Sequence, residues 1–167
     1  MIRPATHDDI EAARDVERAA GQRFRDVGMA DIAEHEPMPA DAMATYVDDG
    51  RAWVAEAGGT VVGYVLVDVV DGCAHVEQIS VSPDHQGRGH ARALLDEVER
   101  WAAGRGMPAL TLTTFRDVPW NRPLYEHLGF AVLTDLPPEL EARVEHEHTA
   151  YGLDRSGRVA MRREVPR

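Results

Sequence analysis

The chain has 167 residues, of which 44% are apolar and 28% are charged, and its formal net charge is −11. This length and composition predict one globular domain with a substantial core, which we expect to span residues 1–167. The charge argues against a nucleic-acid partner, which needs a basic face, and no apolar run approaches the ~20 residues that cross a bilayer.

The N-terminal stretch and the cysteine content predict a cytoplasmic protein. The first residues, MIRPATHDDIEAARD, contain no apolar segment of the kind found in secretory signal peptides. Cys73 is the single cysteine, so it makes neither an internal disulfide nor a cysteine-rich zinc site.

The first half of the chain predicts a short strand, two helices and three further strands. Asp8 or Asp9 can cap the first helix, whose apolar residues lie near one face. Gly58 and Gly59 form the turn of a β-hairpin between two apolar runs. The predicted strands are residues 1–5, 51–57, 60–70 and 73–82, and the predicted helices are residues 8–20 and 41–47.

The second half predicts a long helix, a buried strand, a short helix and a last strand. From Gly89 onward the apolar residues recur at i, i+3, i+4 and i+7, which is one helical face, and Gly104 ends it. We expect strands at residues 109–115 and 158–165, a short helix within 120–129, and a loop with at least one helical turn at 137–152. This order of elements predicts an α+β or α/β domain around one central sheet.

Two stretches of the chain are strongly acidic. Residues 26–49 hold seven acidic residues and no Lys or Arg, and residues 135–148 hold five acidic residues and one Arg. Such stretches are usually solvated surface, but they can also form a rim that attracts a cationic ligand. The sequence alone leaves both interpretations open.

Gly87, Arg88 and Gly89 stand where a predicted strand turns into a predicted helix. The first amides of a helix have no intrahelical acceptor, and the helix dipole makes this end positive. Glycines let an anion approach the backbone closely, so this turn predicts a phosphate or diphosphate site. A plain strand-to-helix turn is the alternative, because glycines are common there.

The turn and three other stretches together resemble one family. The pattern Gln86-x-x-Gly89-x-Ala91 after Val-Ser-Pro resembles the acetyl-CoA loop of the GCN5-related N-acetyltransferases, the GNAT family. LYEHLGF, which begins at Leu124, resembles the family's late Tyr-x-x-x-Gly-Phe motif. IRPATHDDI and VAEAGGTVVGYVLV resemble its first strand with the start of its first helix and its second and third strands.

The resemblance implies an α/β (α+β) domain whose mixed, mostly antiparallel sheet is flanked by helices and split between the fourth and fifth strands. It implies acetyl-CoA as the co-substrate, with the pyrophosphate on backbone amides of the glycine turn and the pantetheine arm along the fourth strand. Asn121 is the candidate for a further family position, although it stands four residues before Tyr125 rather than seven. The implied cofactor-binding residues are Ile79, Ser80, Val81, Gln86, Gly87, Arg88, Gly89, His90, Ala91 and Asn121.

Three residues are candidates for the chemistry. An acceptor amine must lose a proton before it attacks, and the departing thiolate takes one up. Glu77 and His75 share a strand face, and either fits the family's general base, with Glu77 preferred because an anion also attracts an ammonium. The alternative for His75, which stands nearer the start of the strand, is a polar edge residue. Tyr125 is the candidate acid, since the family's tyrosine points at the sulfur of coenzyme A.

The sequence therefore predicts an acetyl-CoA-dependent N-acetyltransferase that acts on a primary amine of a small molecule by direct transfer in a ternary complex. A protein or peptide N-acetyltransferase and a non-catalytic CoA-binding regulatory domain are the alternatives. No metal site is expected, because the segment from Glu145 to His148 lacks the HExxH spacing. Since many relatives dimerise, the resemblance also leaves room for a homodimer.

Overall fold

The computed structural model describes residues 1–167 and contains seven strands and six α-helices. The strands are β1 (Ile2–Pro4), β2 (Ala52–Ala57), β3 (Thr60–Val70), β4 (Cys73–Val81), β5 (Ala109–Phe115), β6 (Ala131–Val132) and β7 (Arg158–Glu164). The helices are α1 (Ile10–Gly21), α2 (Ala30–Ala33), α3 (Ala40–Asp48), α4 (His90–Ala103), α5 (Arg122–His127) and α6 (Pro138–Tyr151). None of these helices is long and apolar enough to cross a membrane.

The strands form one sheet in the order β1-β2-β3-β4-β5-β7-β6. The β1–β2, β2–β3, β5–β7 and β6–β7 pairs are antiparallel, whereas β4 and β5 run parallel. The parallel register pairs Ala74 with Leu110 and His75 with Thr111. The predicted mixed, mostly antiparallel sheet with flanking helices is thus confirmed, while the split between the fourth and fifth strands stays a prediction.

The chain divides into two compact units, and the boundaries between them fall within β3, β4 and α4. Unit 1 comprises Met1–Val67 and Glu77–Glu97, and unit 2 comprises Asp68–Val76 and Val98–Arg167. In unit 1 the α1 and α3 helices pack on the hairpin of β2 and β3 through a core that includes Ile10, Ala13, Val16, Met43, Val54, Tyr64 and Leu66. In unit 2 a cluster of Val70, Leu140 and Ala160 holds α6 against β7.

Asp9 precedes α1, as the sequence predicts, but it does not cap the helix with its side chain. Its carboxylate accepts the Thr6 backbone N–H at 2.8 Å and two hydrogen bonds from Arg3, at 2.7 and 2.9 Å. The carboxylate therefore ties β1 to the turn before α1, and its hydrogen bonds with the Arg3 guanidinium lower its pKa.

The segment expected to be mostly loop, residues 137–152, is mainly the 14-residue helix α6. Leu140 and Val144, four residues apart, are its buried side chains. Asp71, in the turn between β3 and β4, accepts the backbone N–H groups of Glu139 and Leu140 at 3.0 and 2.8 Å. A side chain 68 residues away in sequence thus satisfies the first amides of α6.

Candidate active site

The glycine turn connects β4, which ends at Val81, to α4, which begins at His90. Gly87 and Gly89 have φ angles of +75° and +83°, in the left-handed region that side chains other than glycine rarely adopt. A Cβ at either position would meet no heavy atom within 4 Å. Glycine is therefore required here by backbone conformation, and the backbone on this side is open to a ligand.

The start of α4 presents unpaired amides beside this open backbone. Ala93 N–H donates to the Gly89 carbonyl at 3.0 Å, so the amides before Ala93 precede the first bond of this helix. Arg88 is exposed, and the imidazole centroids of His85 and His90 lie 6.3 Å apart. Burial, with the nearby positive charges, lowers the pKa of His90. This arrangement of amides and basic side chains suits an anion such as a diphosphate.

The Gln86 side chain makes hydrogen bonds with two other residues. Its side-chain carbonyl accepts a hydrogen bond from Arg23 Nη1 at 2.6 Å, and its amide donates to the Val81 carbonyl at 3.2 Å. Arg23 lies in the 3-10 segment Gln22–Val27 that follows α1. Sequence reasoning missed Arg23, because no local pattern relates it to a residue 63 positions away.

The second half of β4 carries the other unit 1 candidates. Glu77, Ile79 and Val81 are half-buried, whereas Ser80 is buried. Gln78 Nε2 donates to Ser80 Oγ at 3.1 Å, so these two side chains share one face of the strand. Strand alternation then gives Glu77, Ile79 and Val81 the opposite face.

His75, the third residue of β4, is buried in the sheet of unit 2 and is not a polar edge residue. Only 1% of its surface is exposed, and its Nδ1 lies 2.9 Å from Thr111 Oγ1 on the neighbouring strand β5. Burial, with the positive charge of Arg143, lowers its pKa to about 4. The imidazole is therefore neutral at pH 7.

Tyr125 lies on α5 in unit 2 and is half-buried. Its ring meets Phe130 edge-on, with centroids 5.9 Å apart, and its carbonyl accepts the Phe130 N–H at 2.9 Å. Burial raises the pKa of its hydroxyl to about 12, so the group keeps its proton at neutral pH. Asn121 stands at the N-terminus of α5, where its carbonyl accepts the Tyr125 N–H at 3.0 Å.

The candidates thus fall into two sets. Unit 1 holds Glu77, residues 79–81 and the glycine turn, all on β4 or directly after it. Unit 2 holds His75, Asn121 and Tyr125.

Cys73 is a buried free cysteine. Burial raises the pKa of the Cys73 thiol, which lies 3.7 Å from Arg162 Nη1. No group of three or more His, Cys, Asp or Glu side chains is arranged to hold a metal ion.

Comparison with known proteins decides the family. The model of the acetyltransferase (GNAT) family matches residues 15–130, which is more than half of the chain. The chain belongs to the GNAT family. The glycine turn, all of β4 and the Tyr125 motif of this GNAT chain lie within the matched range.

Two curated relatives support the assignment. The GNAT chain is 35% identical over 118 residues to a probable N-acetyltransferase family 8 member 5 of Mus musculus, with 66% of this chain and 51% of that protein covered. It is 30% identical over 141 residues to a mycothiol acetyltransferase of Nocardiopsis dassonvillei, with 72% and 39% covered. The chain therefore spans about half or less of the length of these two relatives.

Solved structures share the fold of this GNAT chain over nearly its whole length. A PaiA N-acetyltransferase of Thermoplasma acidophilum, in complex with coenzyme A, gives a TM-score of 0.75 at 15% identity and covers 98% of both chains. The ribosomal-protein-S18-alanine N-acetyltransferase of Escherichia coli gives 0.68 at 21% identity, covering 100% of this chain and 94% of that chain. At these identities the likeness concerns the fold alone.

Proposed function

We propose that residues 1–167 form one N-acetyltransferase domain, which transfers the acetyl group of acetyl-CoA to a primary amine of a small molecule. The observation that carries the proposal is the glycine turn at the start of α4. Its left-handed Gly87 and Gly89 leave the backbone uncovered beside unpaired helix amides. Family membership and the coenzyme A bound in a structural neighbour agree with this ligand.

The co-substrate would bind mainly through backbone groups. The amides of residues 86–91 would hold the pyrophosphate, with exposed Arg88 and half-buried His90 nearby. Backbone groups of residues 79–81 would bond the pantetheine arm, and one N–H there would stabilise negative charge on the thioester oxygen. Asn121 would lie near the same ligand, because it stands four residues before Tyr125 of the family motif.

The reaction would be a direct transfer within a ternary complex. Glu77 takes a proton from the acceptor ammonium, through a water, and so frees the nitrogen lone pair. The nitrogen attacks the thioester carbon, the C–S bond breaks, and the electron pair leaves with sulfur. Tyr125, whose hydroxyl keeps its proton, would give that proton to the thiolate. Burial and the Thr111 contact make His75 a weaker candidate base than Glu77.

Charge and one relative favour a small amine as the acceptor. The net charge of −11 and the two acidic stretches would attract a cation. The relative from Nocardiopsis is named for mycothiol rather than for a protein. The Escherichia coli neighbour is named for a ribosomal protein, so a protein N-terminus is the second candidate acceptor.

The test is release of coenzyme A thiol from acetyl-CoA with a panel of small amines and of peptides with free N-termini. Turnover with a small amine at a kcat/KM above that of every peptide supports the proposal. Turnover with peptides alone supports the second candidate. Acetyl-CoA binding without turnover on either panel would leave a non-catalytic CoA-binding domain.

A further inference from the structure

An ion pair that the reaction described above does not use lies between α6 and the sheet of unit 2. Arg158 Nη2 donates to Thr113 Oγ1 at 3.1 Å and lies 3.4 Å from both carboxylate oxygens of Glu147. The Thr113 hydroxyl donates to Glu147 Oε2 at 2.8 Å. The side chains of Arg158 and Glu147 are only 10% and 16% exposed. Through Glu147, α6 thus holds the guanidinium of the first residue of β7.

An aromatic ring contacts the same guanidinium. Arg158 Cζ lies 4.5 Å from the centroid of the Phe115 ring, and the two residues are partners in the antiparallel β5–β7 pair. Arg158 Nε is shielded from solvent and has no hydrogen-bond partner. A buried donor without a partner costs stability, so a purely structural ion pair does not account for this arrangement.

The charge of Arg158 acts on the hydroxyl of Tyr125, which lies in the same unit. The Tyr125 ring packs on Phe130, the residue before β6, and β6 pairs with β7. Burial raises the pKa of the Tyr125 hydroxyl, and the positive charge of Arg158 opposes this increase. Arg158 therefore favours the tyrosinate form of Tyr125 over the phenol.

The proposed acid step needs such a cation. In this step the O–H bond of Tyr125 breaks, an S–H bond forms on coenzyme A, and the negative charge moves from sulfur to the Tyr125 oxygen. A thiol has an ordinary pKa of about 8.5, whereas that of Tyr125 is about 12, so the transfer is unfavourable by a factor on the order of 10³. A fixed cation stabilises the charge on the Tyr125 oxygen, which regains a proton from water after the thiol has left.

We infer that Arg158 is a positioning residue for the acid step: held by Glu147 and Phe115, its guanidinium stabilises the negative charge that Tyr125 acquires when it protonates the thiolate. This inference rests on the proposed N-acetyltransferase function. It also gives the acidic helix α6 a role in the reaction, because Glu147 is the α6 residue that contacts the guanidinium.

The experiment is a double-mutant cycle in kcat, at saturating acetyl-CoA and amine. The cation is removed by Arg158→Gln together with Glu147→Gln, because Arg158→Gln alone would leave a buried carboxylate unpaired. This neutral variant is made with and without Tyr125→Phe. We expect it to lower kcat about tenfold when Tyr125 is present and less than about twofold when Tyr125→Phe is present, since the effect acts through the phenol. The KM for acetyl-CoA should be unchanged.

Two single variants are the controls. Arg158→Lys keeps the positive charge and should retain most of the wild-type kcat. Arg155→Gln removes an arginine that pairs with Glu141 and Glu145 on the same helix, and it should leave kcat unchanged.

Equal losses of kcat with and without Tyr125→Phe overturn the inference, because a purely structural role would give them. Wild-type kcat in the neutral variant also overturns it, as does a kcat of Arg158→Lys that is as low as that of the neutral variant.

If the wild type turns over no amine, the proposed function fails instead, and a titration decides the role of Arg158. A ring-fluorinated tyrosine incorporated at position 125 reports the ionisation of its own hydroxyl by fluorine NMR. The neutral variant should lower the acid dissociation constant of this hydroxyl at least about threefold, and Arg155→Gln should leave it unchanged. Equal constants in the wild type and the neutral variant overturn the inference.

Discussion

Arg23 Nη1 lies 2.6 Å from the side-chain oxygen of Gln86, and this hydrogen bond joins the 3-10 segment after α1 to the glycine turn. Gln86 in turn donates to the Val81 carbonyl at the end of β4. The orientation of Gln86, and with it the start of the proposed phosphate loop, thus depends on a residue from a distant part of the sequence.

We predict that Arg23→Gln raises the KM for acetyl-CoA roughly three- to tenfold, since one hydrogen bond of this kind contributes about 1 kcal/mol. The acceptor KM and Tm should change little. Steady-state kinetics check this, with Arg25→Gln as the matched control, because Arg25 lies in the same segment and contacts Gln22 and Glu34 instead. Equal effects of the two variants would remove Arg23 from a specific role.

Gly89→Val should raise the KM or Kd for acetyl-CoA at least about tenfold, or about 1.4 kcal/mol. Valine strains the backbone at a φ of +83° and adds bulk where the amides face the proposed pyrophosphate. Gly28→Val is the control, because Gly28 has a φ of +73° and equally open surroundings outside the turn. Both variants should lose similar stability, but only Gly89→Val should lose affinity. Unchanged affinity in a folded Gly89→Val protein would contradict the phosphate site.

Local patterns predict those parts of this structure that local interactions determine. The periodic face from Ala91 to Trp101 predicts α4 correctly, and the two glycines after β2 predict its hairpin with β3. By contrast, α6 has only two buried side chains and gets its N-terminal hydrogen bonds from Asp71, so no local signal predicts its length. The Arg23–Gln86 and Thr113–Glu147 contacts are likewise non-local, and only the folded chain reveals them.

Asp9→Asn should destabilise the protein by about 2 kcal/mol at pH 7, because the Asp9 carboxylate is buried and accepts two hydrogen bonds from the Arg3 guanidinium. The lowered folded-state pKa of Asp9 determines how this stabilisation depends on pH. The stabilisation is present above the unfolded-state pKa of about 4 and is lost as pH falls through the folded-state pKa. The two proteins should therefore differ in their free energy of unfolding, measured with denaturant, by an amount that is constant from about pH 6 to about pH 8. This difference should become smaller below about pH 4.

Tyr125→Phe should lower kcat by about 10- to 10³-fold and leave the KM for acetyl-CoA nearly unchanged. The raised pKa of Tyr125, about 12, adds a second expectation. The hydroxyl stays protonated at ordinary pH, so the wild type should show no loss of kcat from tyrosine ionisation below about pH 10. Wild-type kcat in a folded Tyr125→Phe protein would exclude the acid role.

The last prediction concerns the general base. If Glu77 relays the acceptor's proton through water, Glu77→Gln keeps the size and hydrogen-bonding capacity of the side chain but removes its basicity. The kcat/KM should then fall about 10²-fold, and the limb of its pH profile that belongs to the base should vanish or move.

His75 gives the contrasting case. Its pKa of about 4 would place the limb of the kcat/KM profile that belongs to His75 near pH 4. Its imidazole Nδ1 lies 2.9 Å from Thr111 Oγ1. We expect His75→Ala to lower Tm without moving the pH profile. Thr111→Val removes the hydroxyl partner but keeps the imidazole, and it should also lower Tm without moving the profile. A profile that moves in His75→Ala and not in Glu77→Gln would assign the base to His75. A profile that moves in neither variant would mean that the amine arrives neutral. The acidic stretches would then act by steering the amine to the site, and kcat/KM would depend on the salt concentration.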